Sequence, residues 1–267
     1  MASLVGDDFS LGTSVEAAAR ILARSRSVLF VTGAGLSADS GLPTYRGVGG
    51  LYERETEDGL PIEEALSGET FRRRPELTWR ILCGIERLCR GAGPNPGHAA
   101  IAALQDRLDR CVVLTQNVDG FHGRAGSRDV IEIHGDLKSL RCVSCPWTDR
   151  VEDYASLAIP PLCPRCHGLV RPAVVLFGEM LPPRAVARLD AELALGFDAV
   201  FSVGTTSAFP YISYPVARGR ANGAGTVEVN PGESEVSGLV DVRVRARAAE
   251  ALPAIVAAAR RLGFAKG

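Results

Sequence analysis

The chain has 267 residues, room for one large domain or a main domain carrying a small insert. Its 46% apolar and 23% charged residues are the balance of a globular protein with a full core, and a net charge of −1 supplies no basic field for nucleic acid. Asp7, Asp8, Glu16, Arg20, Arg24 and Arg26 interrupt any leader-like apolar run. No stretch approaches the roughly 20 apolar residues of a spanning helix. A soluble cytoplasmic protein with no membrane or nucleic-acid partner is expected, its oligomeric state left open with a monomer among the options.

Val15, Ala18, Ala19 and Leu22 make an apolar stripe at helical spacing over residues 15–24. Residues 27–32 (SVLFVT) form a short unbroken apolar run, the pattern of a strand buried on both faces. Similar runs follow at 111–115, 130–133, 174–177, 199–203 and 226–229, with helical patterns near 98–107, 184–195 and 249–262. Buried strands alternating with helices predict an α/β fold, a mostly parallel sheet covered by helices on both faces. Residues 43–97, with a helical region at 75–89, and residues 136–172 break this rhythm and together predict a small second lobe.

Three of the seven cysteines, Cys83, Cys89 and Cys111, stand among apolar neighbours and read as small core residues. The other four form two knuckles, Cys142-Val-Ser-Cys145 and Cys163-Pro-Arg-Cys166, with seventeen residues between them. That spacing suits tetrahedral Zn²⁺ held by four thiolates, a closed site and hence a structural one; two redox or incidental pairs are the alternative. His167 follows Cys166 directly and is expected to be a loop residue, since four thiolates already complete the set.

Gly33-Ala34-Gly35-Leu-Ser37-Ala38 fits the dinucleotide pattern G-x-G-x-x-G/A and follows a buried strand. The glycines permit a tight turn and close approach of backbone to a pyrophosphate. Hydride transfer is disfavoured, because residues 43–57 contain acids but no second strand ending in one.

Taken in order, GAGLSADSGLPTYRG (33–47), TQNVDGFH (115–122), IEIHG (131–135), the two knuckles, VVLFGE (174–179), VGTTS (203–207) and VEVN (227–230) resemble the motifs of the sirtuin family. The resemblance runs from about residue 14 to 262. It implies a Rossmann-like domain from residues 1–43, 98–135 and 173–267. Residues 44–97 would be a cofactor loop and helical insert, and 136–172 a zinc ribbon. It also implies an NAD-dependent protein-lysine deacylase, acting on an acylated-lysine protein or peptide with NAD as co-substrate. In that chemistry the bond to nicotinamide breaks and the acyl oxygen attacks the ribose, which needs a shielded centre and a base for a ribose hydroxyl.

The resemblance makes His134 that base, and a neutral imidazole suits the task; read alone, it could be a structural histidine at a strand end. His98 is expected to start a helix and His122 to brace the loop after Thr115. Asn117 and Asp119 match nicotinamide and ribose contacts, although Asn-Val-Asp-Gly can also make a plain turn. Gln116 matches a residue near the ribose. Arg46 matches an arginine near the phosphates, and Tyr45 stands where the family usually has Phe. Gly204, Thr205, Ser207 and Asn230 match the lining of the pyrophosphate and adenosine ribose. Val175, Phe177, Gly178 and Glu179 match a substrate segment that pairs with an extended peptide. Pro210 falls six residues after Gly204 where the family commonly has seven, so a different loop path is expected beyond Ser207. Members that remove acidic acyl groups carry a Tyr and an Arg where Leu82 and Ile85 stand here. Neither can neutralise a carboxylate, so neutral acyl groups, acetyl or longer, are expected. Two other readings are a mono-ADP-ribosyltransferase and a non-enzymatic NAD-sensing domain; an intact His134 favours the deacylase over both.

Overall fold

A computed structural model of the chain describes residues 11–44 and 59–264. In chain order its strands are β1 (Ser27–Thr32), β2 (Arg110–Thr115), β3 (Val130–Glu132), β4 (Gly135–Cys142), β5 (Thr148–Arg150), β6 (Val170–Val174), β7 (Ala199–Val203), β8 (Gly225–Val229) and β9 (Val242–Val244). The helices are α1 (Leu11–Arg24), α2 (Ala34–Ala38), α3 (Ile62–Ala65), α4 (Gly68–Arg73), α5 (Pro75–Gly91), α6 (Pro96–Leu104), α7 (Phe121–Arg124), α8 (Pro183–Leu195), α9 (Pro210–Ala221) and α10 (Ala248–Leu262).

Six strands form one sheet in the order β3-β2-β1-β7-β8-β9, every neighbouring pair parallel. The alternation of side chains along β1 explains its unbroken apolar run. Val28 and Phe30 enter one core with Leu22 of α1, Ile101 of α6 and Ile255 of α10. Leu29 and Val31 enter the other with Leu189 of α8 and Val216 of α9. Both faces exclude water, and each such large side chain contributes about 1.5–3 kcal/mol by burial.

Numbered within the sheet, the strand order is 3-2-1-4-5-6, that of dinucleotide-binding folds. The connections leaving β1 and β7 run to opposite sides, so a crevice opens beyond the carboxyl ends of these two strands. Among the described residues no helix is long and apolar enough to cross a membrane.

The second, antiparallel sheet has the order β5-β4-β6. Its core joins the two stretches that break the α/β rhythm: Phe71, Trp79 and Leu82 from α4 and α5 pack with Leu140, Cys142, Tyr154 and Cys163. Trp79 is fully buried, donates from Nε1 to the Val170 carbonyl at 2.9 Å and meets the Tyr154 ring edge-on. Helical insert and cysteine segment therefore fold as one body.

The expected strand at residues 174–177 is not in the large sheet. Val174 ends β6 of the small sheet, and the next residues find partners on different sides rather than along one ladder. The Val175 amide donates to His134 O at 2.8 Å, while Phe177 donates to Leu66 O and accepts from the Gly68 amide, each at 3.0 Å. The segment ties the edge of the large sheet to the helical insert. Among the elements absent from the sequence reading are α9, with Pro215 inside it, and β9. The latter carries the half-exposed Arg243, which pairs with the buried Glu228 of β8 at 3.0 Å.

Candidate active site

The carboxyl ends of β1, β2, β3, β7 and β8 converge on a cavity of about 400 Å³ lined by Gly33, Ala34, Gly35, Gln116, Asn117, His134, Gly204, Thr205 and Asn230, with Val175, Phe177, Gly178 and Glu179 along one wall. A small annex of about 40 Å³ adjoins it, sharing Ala34, Ile85, Asn117 and Val118 and adding Ser37, Cys89 and Asp119. Of the sequence-derived site residues, Ser207 reaches neither. It is buried at φ +54°, with its hydroxyl 3.3 Å from Ser202 Oγ, and Thr206 takes the lining position instead. Tyr45 and Arg46 lie outside the described residues.

Two glycine loops form the floor. The amides of Gly33 and Gly35 donate to the carbonyls of Val203 (3.1 Å) and Gly204 (2.8 Å), so these N–H groups already have partners inside the protein. What the glycines supply is proximity. A Cβ on Gly204, at φ +57°, would fall 2.3 Å from the Leu36 nitrogen, and one on Gly35 would fall 2.8 Å from Gly204 Cα. The two loops touch backbone to backbone, which keeps the crevice floor thin and open.

The Asn117 amide group donates to Gly33 O at 3.0 Å and to Ser37 Oγ at 3.1 Å, so its place is set by the first loop. Ser37 in turn donates to Asp119 Oδ2 at 2.7 Å, and the Phe121 amide donates to Oδ1 at 2.8 Å. Burial lifts the Asp119 carboxyl above its usual range against these hydrogen bonds. Gln116 donates to Thr205 Oγ1 at 2.8 Å, and Asn230 donates to Thr205 O at 3.1 Å, joining β2 and β8 to the loop after β7. Glu179 lines the cavity, but its carboxylate is held by Arg171 at 2.6 and 3.0 Å. Burial opposes its ionisation; the Arg171 hydrogen bonds outweigh that and keep it below the usual range.

His134 follows β3. Its Nδ1 lies 3.1 Å from Gln116 O and its Nε2 2.7 Å from the Tyr211 hydroxyl. Burial lowers its pKa, partly offset by the Gln116 bond, so the ring is neutral near pH 7. The sequence reading missed Tyr211. The signal lies in Phe209-Pro210-Tyr211: Pro210 begins α9 after its N-cap Phe209, and first-turn side chains lean back past a helix start, here over the cavity. The competing histidines are placed elsewhere. His98 Nδ1 accepts from the Asn95 amide in a capping box at the start of α6, and His122 Nε2 pairs with Thr32 Oγ1 at 3.0 Å, bracing β1 rather than the loop after Thr115.

Leu82 and Ile85 both line the cavity with Leu66, Leu137 and Leu181, and among the described lining residues there is no Lys or Arg. Of the three remaining cysteines only Cys111 is buried; Cys83 and Cys89 are half-buried, and Cys89 lines the annex. Burial pushes the thiols of Cys89 and Cys111 up to about 12, which leaves them unreactive near neutral pH.

The four knuckle cysteines bring their sulfurs within 4.8 Å of one another. Cys142 and Cys166 are 3.5 Å apart and Cys145 and Cys163 3.6 Å, far beyond a disulfide bond. Those separations match the edges, about 3.8 Å, of a tetrahedron with Zn–S bonds of about 2.3 Å. His167 is outside this cluster and exposed. Zn²⁺ fits the donor set and geometry, and a closed four-thiolate site is structural.

A comparison with known families matches residues 33–209 to the Sir2 family. The chain belongs to the Sir2 family. Among its relatives, the NAD-dependent protein deacylase 2 of Pseudomonas syringae pv. tomato is 52% identical over 242 residues, 90% of this chain and 98% of that one. Among solved structures, a Sir2 homolog–NAD complex superposes with a TM-score of 0.84 at 35% identity, covering 92% of this chain and 94% of that one. Sir2Af2 bound to a myristoylated histone peptide gives 0.76 at 32%, covering 94% and 98%. This Sir2 chain carries its glycine loops, His134 and zinc knuckles in the arrangement described above.

Proposed function

We infer that the chain is an NAD-dependent protein-lysine deacylase, releasing nicotinamide and O-acyl-ADP-ribose, with Zn²⁺ as a structural ion. The observation that carries the reading is His134: a neutral imidazole at a strand's carboxyl end, opening on the same cavity as Asn117 and the two glycine loops. In this reading residues 1–43, 98–135 and 173–267 hold the dinucleotide, 44–97 supply loop and helical insert, and 136–172 the zinc ribbon. Gly33, Ala34, Gly35, Gly204, Thr205 and Asn230 hold pyrophosphate and adenosine ribose, Ser207 shapes their loop from behind, and Tyr45 and Arg46 contribute from the cofactor loop. Ser37, Asn117 and Asp119 receive nicotinamide at the annex, and Gln116 lies by the ribose.

The chemistry that bound NAD⁺ supplies is a labile glycosidic bond whose cleavage frees nicotinamide and leaves the ribose able to take the acyl group. The protein's part is to hold and to shield. His134 takes a ribose hydroxyl proton at Nε2, the nitrogen not committed to Gln116, and Asn117, fixed by two hydrogen bonds, presents a preorganised dipole. Val175, Phe177, Gly178 and Glu179 border the acyl-lysine, and Leu82 and Ile85 meet its acyl chain. Described lining residues without Lys or Arg favour neutral acyl groups, because an unpaired carboxylate there costs several kcal/mol. The relative bound to a myristoylated peptide supports long neutral chains among them. Three free cysteines beside a four-thiolate zinc site fit a reducing compartment such as the cytoplasm.

Incubation with NAD⁺ and an acetyl-lysine peptide, followed by mass spectrometry, tests the reading. The expected products are O-acetyl-ADP-ribose and deacetylated peptide. ADP-ribosylated protein without these products would make the chain a mono-ADP-ribosyltransferase, and unchanged NAD⁺ a binding domain; either result ends the deacylase assignment.

A further inference from the structure

The hydrogen bonds of His134 fix which nitrogen carries its proton. A carbonyl oxygen only accepts, so Nδ1, 3.1 Å from Gln116 O, holds the hydrogen in the neutral ring, and Nε2 presents a lone pair. Tyr211 Oη, 2.7 Å from Nε2, is therefore the donor. Its ring is stacked on Phe209 at 5.4 Å between centroids with an 11° tilt and set edge-on to the imidazole, so the phenol is aimed at the base by packing as well as by hydrogen bonding. A pyridine-type nitrogen has one in-plane lone pair. A phenol and a ribose hydroxyl cannot both donate to it.

We propose that Tyr211 is a placeholder for the ribose hydroxyl, holding His134 Nε2 in the cofactor-free protein and yielding that position when NAD⁺ binds. The inference rests on the deacylase reading, which makes His134 the base. Tyr211 is then a positioning residue: it keeps the imidazole in the productive tautomer and keeps water off the lone pair. The exchange replaces one O–H···N bond by another, so no net proton moves until the reaction itself. The cost is competition, because NAD⁺ must displace an internal hydrogen bond.

Tyr211→Phe keeps the ring stack and deletes the donor. The expected result is a KM for NAD⁺ and a Kd for ADP-ribose that both fall about 3- to 10-fold, the ratio set by one neutral hydrogen bond, with the effect on KM rather than on kcat. A hundredfold fall in kcat at unchanged Kd would mean that Tyr211 passes the proton itself, and equal constants in both proteins would mean that the contact is incidental; either overturns the placeholder. A second measurement is independent of turnover. The chain has four histidines, so ring ¹⁵N spectra are tractable, and His134 should be the Nδ1–H tautomer in both proteins, with Nε2 moving toward an unbonded value only in the variant. An unmoved Nε2 also overturns the proposal. If wild-type protein neither binds ADP-ribose nor deacylates a peptide, it is the deacylase reading that fails.

Discussion

His98 and His122 are buried side by side, their rings 5.1 Å apart and edge-on, and each leaves one ring nitrogen, His98 Nε2 and His122 Nδ1, without a hydrogen-bond partner. Such a pair must stay neutral. Burial lowers His98 from 6.5 to about 4, and burial with the charge of His98 lowers His122 to about 3. Because the folded pKa lies below the unfolded one, the unfolded chain binds protons first. The stabilisation is complete above pH 6.5 and is lost as pH falls toward about 4 for His98. For His98 alone, linkage at pH 5 gives a loss of about 2 kcal/mol relative to pH 7.5. His98→Gln isolates the effect, since Gln at the third helical position can still accept from the Asn95 amide in the capping box. Urea denaturation of the zinc-loaded protein at pH 7.5 and pH 5 should show the variant losing about 2 kcal/mol less than wild type between the two. Carboxylates and metal ligands titrate alike in both proteins and cancel in the comparison. An identical loss in the two proteins would refute a neutral buried His98.

His134→Ala should abolish deacylation while ADP-ribose still binds by calorimetry; retained turnover would remove His134 from the mechanism. In wild type, kcat/KM should fall on the acid side through a pKa below the ordinary histidine value, because the base works unprotonated and burial lowers it; a limb above pH 7 would contradict this. Cys142→Ser should release zinc, seen in the metal-to-protein ratio, and lower the melting temperature, and full metal content with full activity would show the ligand set to be wrong. Ile85→Arg should raise the desuccinylation-to-deacetylation ratio at least tenfold by pairing a buried carboxylate. Desuccinylation already exceeding deacetylation in wild type would overturn the neutral-acyl reading.

The parallel sheet was legible because burial on both faces leaves a mark that needs no context. Val28 through Val31 alternate between two cores, so all four had to be apolar. The zinc knuckles were legible because tetrahedral coordination dictates ligand spacing. The segment at 174–177 was misread as a strand of the large sheet, since an apolar run reports burial but not pairing, and the half-buried Phe177 packs in the small lobe instead. Strand β9 was hidden by Arg243, an unlikely strand residue until Glu228 is placed beside it. Ser207 carried the motif but not the position, because its φ of +54° turns the side chain back toward Ser202.

Tyr211 was illegible for a different reason. A tyrosine after a proline says that a helix starts; it does not say what lies beyond the start. That depends on how close the loop after β7 comes to β3, and this distance is set by a contact between that loop and Gly35, far from both residues in sequence. Backbone contact between Gly35 and Gly204 draws the end of β7 against the end of β1. The bond from Gln116 to Thr205 then fixes β2 to the same loop, and the carbonyl of that same Gln116 holds His134 Nδ1. Loop, base and phenol are thus positioned by one short chain of contacts. Substituting either glycine should therefore disturb the orientation of His134 as well as the cofactor floor.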